Sequence, residues 1–141
     1  MIKKMLVCLD GSDDSIKALD FAVEMANKIG AEITLLEVVE SGRNIPGYYN
    51  LSANEDQELA TLMAEQKIDK LLPKVAELKT TFDRKIETGH PAEKILEVSE
   101  NDKYDLVVLG SHGSNALTRF LVGSVSTKVM HHAKVPVLVV R

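Results

Sequence analysis

Cysteine occurs once in this chain, tryptophan is absent, and aromatic residues make up only 4% of its 141 residues. One thiol excludes an internal disulfide and a thiolate metal site, and Cys8, set within an apolar segment, reads as a small buried hydrophobe. Scarce aromatics leave Val, Leu, Ile, Ala and Met to build the core, which suits helices packed closely on a parallel sheet. No apolar run approaches the roughly 18–20 residues of a membrane span, and no charged leader precedes an apolar stretch, so the chain is expected to be soluble and cytoplasmic, with no membrane partner. Blocks of like charge are also missing. Lys plus Arg number 17 against 21 Asp plus Glu, and the net charge of -4 has the wrong sign for neutralising phosphates, so nucleic acid is not an expected partner. With 45% hydrophobic and 27% charged residues the composition is ordinary, and the length predicts one domain, 1–141.

What is present alternates along the chain. Residues 2–9 are apolar apart from Lys3 and Lys4 and stop at Asp10-Gly11-Ser12, a strand followed by turn chemistry. From Asp13, the positions Ile16, Leu19, Ala22, Val23, Ala26 and Ile29 recur at helical spacing, with Ser12 or Asp13 as N-cap and Gly30 past the end. Residues 32–39 are nearly continuous aliphatics, as a strand covered on both faces requires. Residues 40–53 read as a long connection, either a loose loop or a lid. The positions from Leu59 to Leu78 fit a second long helix that Pro73 kinks or divides. Phe82, Arg84 and Ile86 alternate as in an edge strand, and a short helix starts at Pro91. Aliphatic runs over 106–109 and 136–140 are the last two strands, separated by a turn around 117–121 and a helix over 124–132. Five strand–helix alternations with right-handed crossovers predict a doubly wound α/β fold, a five-stranded parallel sheet with helices on both faces.

Such sheets bind ligands beyond the carboxyl ends of their strands where the strand order reverses, which directs attention to 10–15 and 110–126. The second stretch places Gly110, Gly113 and Gly123-Ser124 at a spacing that lets backbone approach a ligand, with the N–H groups of Val125 and Ser126 at a helix start able to receive phosphate oxygens. The bland alternative is that Gly110 ends a strand, Gly113 turns the chain and Gly123 relieves crowding. Asp10 either meets a ribose hydroxyl or metal-bound water, or only ends its strand and caps the next helix. His112 is either a phosphate contact or a solvated loop residue, and Arg119 and Lys128 are either phosphate-reaching cations or surface charges. His131 and His132 suit a helix C-terminus without any metal. Neither G-x-x-x-x-G-K-[ST] nor G-x-G-x-x-G occurs, which argues against a fast NTPase. A phospho-receiver domain would need an Asp where Thr88 and Gly89 stand.

The segments Met5-Leu6-Val7-Cys8-Leu9-Asp10-Gly11-Ser12, Ala31-Glu32-Ile33-Thr34-Leu35-Leu36-Glu37-Val38, Thr88-Gly89-His90-Pro91, Tyr104-Asp105-Leu106-Val107-Val108-Leu109-Gly110-Ser111-His112-Gly113, Gly123-Ser124-Val125 and Val135-Pro136-Val137-Leu138-Val139-Val140 together resemble the universal stress protein family over essentially the whole chain. The resemblance implies a Rossmann-like fold of the adenine nucleotide alpha hydrolase kind and, from the glycine series, the ATP-binding type. By position it implies that Asp10 meets the ribose or the phosphate–metal region, that Val38 lines the adenine pocket, and that Leu109, Gly110 and Gly113 follow the ribose and phosphates. Gly123, Ser124, Val125 and Ser126 would then receive the phosphate chain, with Mg²⁺ or Mn²⁺ held mainly by the phosphates. On the adenine side, Cys8 stands where members commonly have Pro, followed by Leu9, a tolerable aliphatic. Glu37 stands where His is frequent and is expected to point away from the ligand. Members pair as dimers through the last strand; residues 136–140 independently predict an apolar sheet edge that a second copy covers, a monomer shielded by local twist being the alternative.

The leading expectation is therefore a nucleotide-responsive stress protein acting as a homodimer, with no catalytic residue and at most slow hydrolysis, since no base for water is evident. The alternatives are a nucleotide-independent dimeric module that docks a regulatory protein, and a slow ATP hydrolase.

Overall fold

The computed structural model describes residues 1–40, 47–48, 50–112 and 122–141. Five strands, β1 (Lys4–Leu9), β2 (Glu32–Val39), β3 (Phe82–Thr88), β4 (Leu106–Gly110) and β5 (Val137–Val140), form one sheet in the order β3-β2-β1-β4-β5, every neighbouring pair parallel. The helices are α1 (Asp13–Ile29), α2 (Ala53–Asp69), the single turn α3 (Leu72–Val75), α4 (Pro91–Asn101) and α5 (Ser124–His132). The expected five-stranded doubly wound fold is what the chain adopts, and the order reverses between β1 and β4. Among the described residues no helix is long and apolar enough to cross a membrane.

Strand alternation divides the core into two layers. Met5, Val7 and Leu9 of β1, with Ile33 and Leu35 of β2 and Leu106 and Val108 of β4, pack against Ala18, Leu19, Ala22 and Ala26 of α1 and against Ile68 and Val75. Leu6 and Cys8 of β1, with Leu36, Val107 and Leu109, pack on the other side against Ala92, Ile95 and Val98 of α4 and Val129 of α5. α1 is closed at both ends: the Ser12 hydroxyl accepts from Ser15 N–H at 3.2 Å, Asp13 and Asp14 suit the positive end of the dipole, and Gly30 takes φ 74° as the left-handed cap.

α2 begins at Ala53, well before Leu59. Ser52 and Glu55 form a reciprocal capping box there, a Ser-x-x-Glu signal that outranks the loop character of the residues before it. Pro73 does divide the expected long helix, by opening α3 at a position where its missing N–H costs nothing. Residues 41–46 and 49 of the expected loop, and the expected turn at 117–121, lie outside the described residues.

Two local features set the geometry of the carboxyl end. A Cβ on Gly110 would stand 2.6 Å from the Asp14 carbonyl carbon and 2.8 Å from Ser15 N, so glycine is required for α1 to start directly on the end of β4. Beneath α2, Glu37 is 4% exposed, its Oε1 accepting from Lys67 Nζ at 3.0 Å and its Oε2 buried without a partner among the described residues. Burial pushes the Glu37 carboxyl above its ordinary range, Lys67 opposes, and the charge of Asp10 adds to the rise.

Gly110→Ala is expected to destabilise the protein by about 1–3 kcal/mol, because backbone must shift, read as a lower Tm or urea midpoint. A raised folded-state pKa means that the ionised Glu37 disfavours folding, and this cost is relieved as pH falls through that pKa. Glu37→Gln is therefore expected to be at least as stable as wild type at neutral pH, Lys67 being half exposed and solvated. Wild type should recover relative to the variant as pH falls towards the ordinary carboxylate range in parallel urea titrations; equal slopes would contradict it.

Candidate functional site

Where the strand order reverses, the chain after β1 turns through Asp10-Gly11-Ser12 and the chain after β4 runs through Ser111 and His112. Asp10 is exposed, and its Oδ1 accepts from Ser12 N–H at 2.9 Å, closing a turn in which Gly11 takes φ 82°. Gly123, extended at φ -62° and ψ 160°, is the N-cap of α5, and no side chain caps that helix. Its N–H donates to Ser111 O, and Ser126 Oγ donates to Gly110 O at 2.6 Å, so the first turn of α5 is bound to the end of β4. The first backbone bond of the helix runs from Thr127 N–H to Gly123 O at 2.9 Å. Among the described residues, the N–H groups of Ser124, Val125 and Ser126 have no acceptor, a set of donors backed by the helix dipole.

The other candidates separate by layer. Cys8 and Leu109 are buried, and Val38 and Val125 half-buried, on the α4–α5 side. Leu9 lies on the opposite side, packed towards α1, and Gly110 touches α1 through its missing Cβ, which gives that glycine a packing role. Burial first, then the charge of Asp10, pushes the Cys8 thiol up to about 12, so it is a packing residue and not a nucleophile. Gly113 and Arg119 lie outside the described residues. Lys128 Nζ reaches Glu93 Oε1 at 3.3 Å on the surface, and His131 and His132 are exposed in the last turn of α5.

Residue spacing did not reveal the cluster joining α1 to β4. Asp14 Oδ2 lies 2.8 Å from His112 Nδ1 and 2.9 Å from Ser111 Oγ, while Ser12 Oγ donates to His112 O at 3.3 Å. The hydrogen bond from His112, then that from Ser111 and the charge of Lys17, hold the Asp14 carboxyl below its usual range against the opposing effect of burial. His112 is therefore tethered, not simply solvated. The pair of acids opening α1 and the His following Gly-Ser were the available signals, but their meeting depends on how closely α1 approaches β4.

No group of three or more His, Cys, Asp or Glu side chains among the described residues could hold a metal ion. A separate depression of about 790 Å³ opens at the amino ends of the strands, where Lys85 pairs with Asp102, Arg84 pairs with Asp69 and Lys4 lies 4.4 Å from the Tyr104 ring centre.

Comparison with known proteins agrees with this architecture. The chain matches the universal stress protein family over residues 1–141. It is 34% identical to the universal stress protein YxiE of Bacillus subtilis, covering 100% of both chains. Among solved structures, the universal stress protein UspA of Lactobacillus plantarum superposes with a TM-score of 0.86 at 27% identity, over 99% of this chain and 98% of that one. A universal stress protein solved in complex with cAMP shares the fold at a TM-score of 0.70 and 22% identity, over 99% of this chain and 97% of that one. With a family match along its whole length and a full-length relative above 30% identity, this chain belongs to the universal stress protein family.

Proposed function

We propose that this chain, as one domain of residues 1–141, binds ATP across the carboxyl ends of β1, β2 and β4 and acts as a nucleotide-responsive regulator of stress tolerance in the cytoplasm. The observation that carries the reading is the trio of unaccepted N–H groups at Ser124, Val125 and Ser126, at the point where the strand order reverses. These donors, with Gly123, would receive the phosphate chain. Asp10 would stand near the ribose, with Gly110 and Gly113 following the backbone of the ligand. Cys8, Val38 and Leu109 share the layer that would hold the adenine, while Leu9 supports it from the other side. Mg²⁺ or Mn²⁺ would be held mainly by the phosphates. The cAMP of the distant neighbour belongs to that protein and supports this reading only as a precedent within the fold.

No catalytic residue is assigned, and hydrolysis is at most slow. The outer edge of β5, with Val137–Val140 all half-buried in a single chain, supports pairing of two copies through this strand. A regulatory protein would then meet the dimer.

ATP at about a hundred times its Kd should raise Tm by about 5–10 °C, since a ligand that binds only the folded state stabilises it. Ser124→Pro removes one donor at a helix position that accepts proline, after a residue already extended as proline requires. It should keep the wild-type Tm without ligand yet bind ATP about tenfold more weakly. An unchanged Tm with ATP would favour the nucleotide-independent interaction module.

A further inference from the structure

The Asp14–Ser111–His112 cluster contains more order than a loop tether needs. Ser111 Oγ stands 2.9 Å from His112 Nδ1 as well as 2.9 Å from Asp14 Oδ2. An ionised carboxylate only accepts, so Nδ1 is a donor to Asp14, and the Ser111 hydroxyl gives its proton to the same carboxylate. This is not a nucleophile relay, in which the hydroxyl sits at Nε2 on the far side of the ring from the carboxylate. Here both partners crowd the Nδ1 side. His112 Nε2 is buried and meets no partner among the described residues, a state that native proteins seldom leave unanswered.

With Nδ1 protonated, Nε2 holds either a bare lone pair or a second N–H. The charged groups nearest the ring along the chain are Asp14 and, 3.7 Å from Asp14 Oδ1, Lys17 on α1, with Asp13 opening the same helix and Asp10 in the turn before it. The first turn of α5, bound to the neighbouring Ser111 and Gly110 carbonyls, carries only Ser, Val and Thr side chains. That first turn therefore brings no cation of its own, and Lys128, the next residue of α5, is directed to Glu93 at 3.3 Å.

We infer that Asp14 and His112 form a proton-handling dyad for a phosphate group, Asp14 positioning the imidazole while His112 Nε2 takes a proton from solvent and donates it as a hydrogen bond to a phosphate oxygen. The inference rests on the nucleotide reading and deepens it. Carboxylate, imidazolium and phosphate then alternate in sign, each bond charge-assisted. One proton moves from solvent to Nε2, and no covalent bond between heavier atoms is made or broken. Adenosine, which lacks phosphate, gains nothing from the dyad.

Calorimetric titration near neutral pH, in buffers of different ionisation enthalpy, counts protons taken up on binding of ATP, adenosine or inorganic tripolyphosphate. Wild type should take up more protons than His112→Asn with ATP and with tripolyphosphate, and no more with adenosine. His112→Asn should bind ATP at least about tenfold more weakly with adenosine affinity unchanged. Asp14→Asn, whose amide drives the ring towards the other tautomer, should lose the same uptake while adenosine binding persists. Nitrogen NMR of wild type gives a reading that needs no variant: unliganded His112 should be the Nδ1–H tautomer, and ATP should convert Nε2 to N–H.

An Nε2–H tautomer in the unliganded protein, or ATP binding with the same proton count in wild type and His112→Asn, overturns the dyad and leaves the nucleotide reading standing. Uptake with tripolyphosphate alone assigns the dyad to a free anion and removes it from the nucleotide site. Failure of ATP to bind wild type overturns both.

Discussion

The approach of α1 to the end of β4 is the contact on which the site depends. Because Gly110 has no Cβ, the first turn of α1 sits against the strand at a distance that any other residue would obstruct. Asp14 is thereby brought within hydrogen-bonding reach of Ser111 and His112, which joins the start of α1 to the first residues after β4. The remaining side of β4's end is taken by α5, through Ser126 on Gly110 O and Gly123 on Ser111 O. Two helix N-termini therefore converge where the sheet changes direction. Their treatment differs: α1 is capped by Ser12 and opened by two acids, whereas α5 has a glycine N-cap and no acid in its first turn. An anion is repelled by the first and attracted by the second.

That asymmetry explains how much was legible beforehand. Strands over 32–39 and 106–110 are visible because strands covered on both faces must be aliphatic throughout, and α1 is visible because its apolar stripe, cap and terminal glycine agree. The Ser52–Glu55 box is equally local but lies beside residues with turn character, and the apolar pattern that marks α2 begins only at Leu59, six residues after its first. The α5 boundaries followed from Gly123-Ser124 and the closing histidines. Contacts between distant segments were not legible. The role of Gly110 depends on Asp14, and His112 looks like a solvated loop residue until α1 is seen beside it. A glycine in a motif has the same letter whether it makes room for a ligand or for a neighbouring helix.

The two acids withdrawn from solvent at this end of the sheet, half-buried Asp14 and fully buried Glu37, have opposite electrostatics. Asp14 accepts two hydrogen bonds on one oxygen, and its charge is favoured. Glu37 has one oxygen on Lys67 and the other in a dry position, and its charge is disfavoured. Asp14 faces Ser111 and His112 after β4, whereas Glu37 faces Lys67 of α2, away from Cys8 and Val38. Burial alone therefore does not set the charge of an acid; the hydrogen bonds its oxygens accept decide it.

The central claim is that the open amides at the start of α5 are the seat of a triphosphate. Backbone amide NMR of the protein titrated with ATP tests it most directly. The account predicts that the Ser124, Val125 and Ser126 resonances move together and saturate with one binding curve, while amides at the amino ends of the strands stay still. Resonances of those three that remain fixed while ATP binds would contradict it.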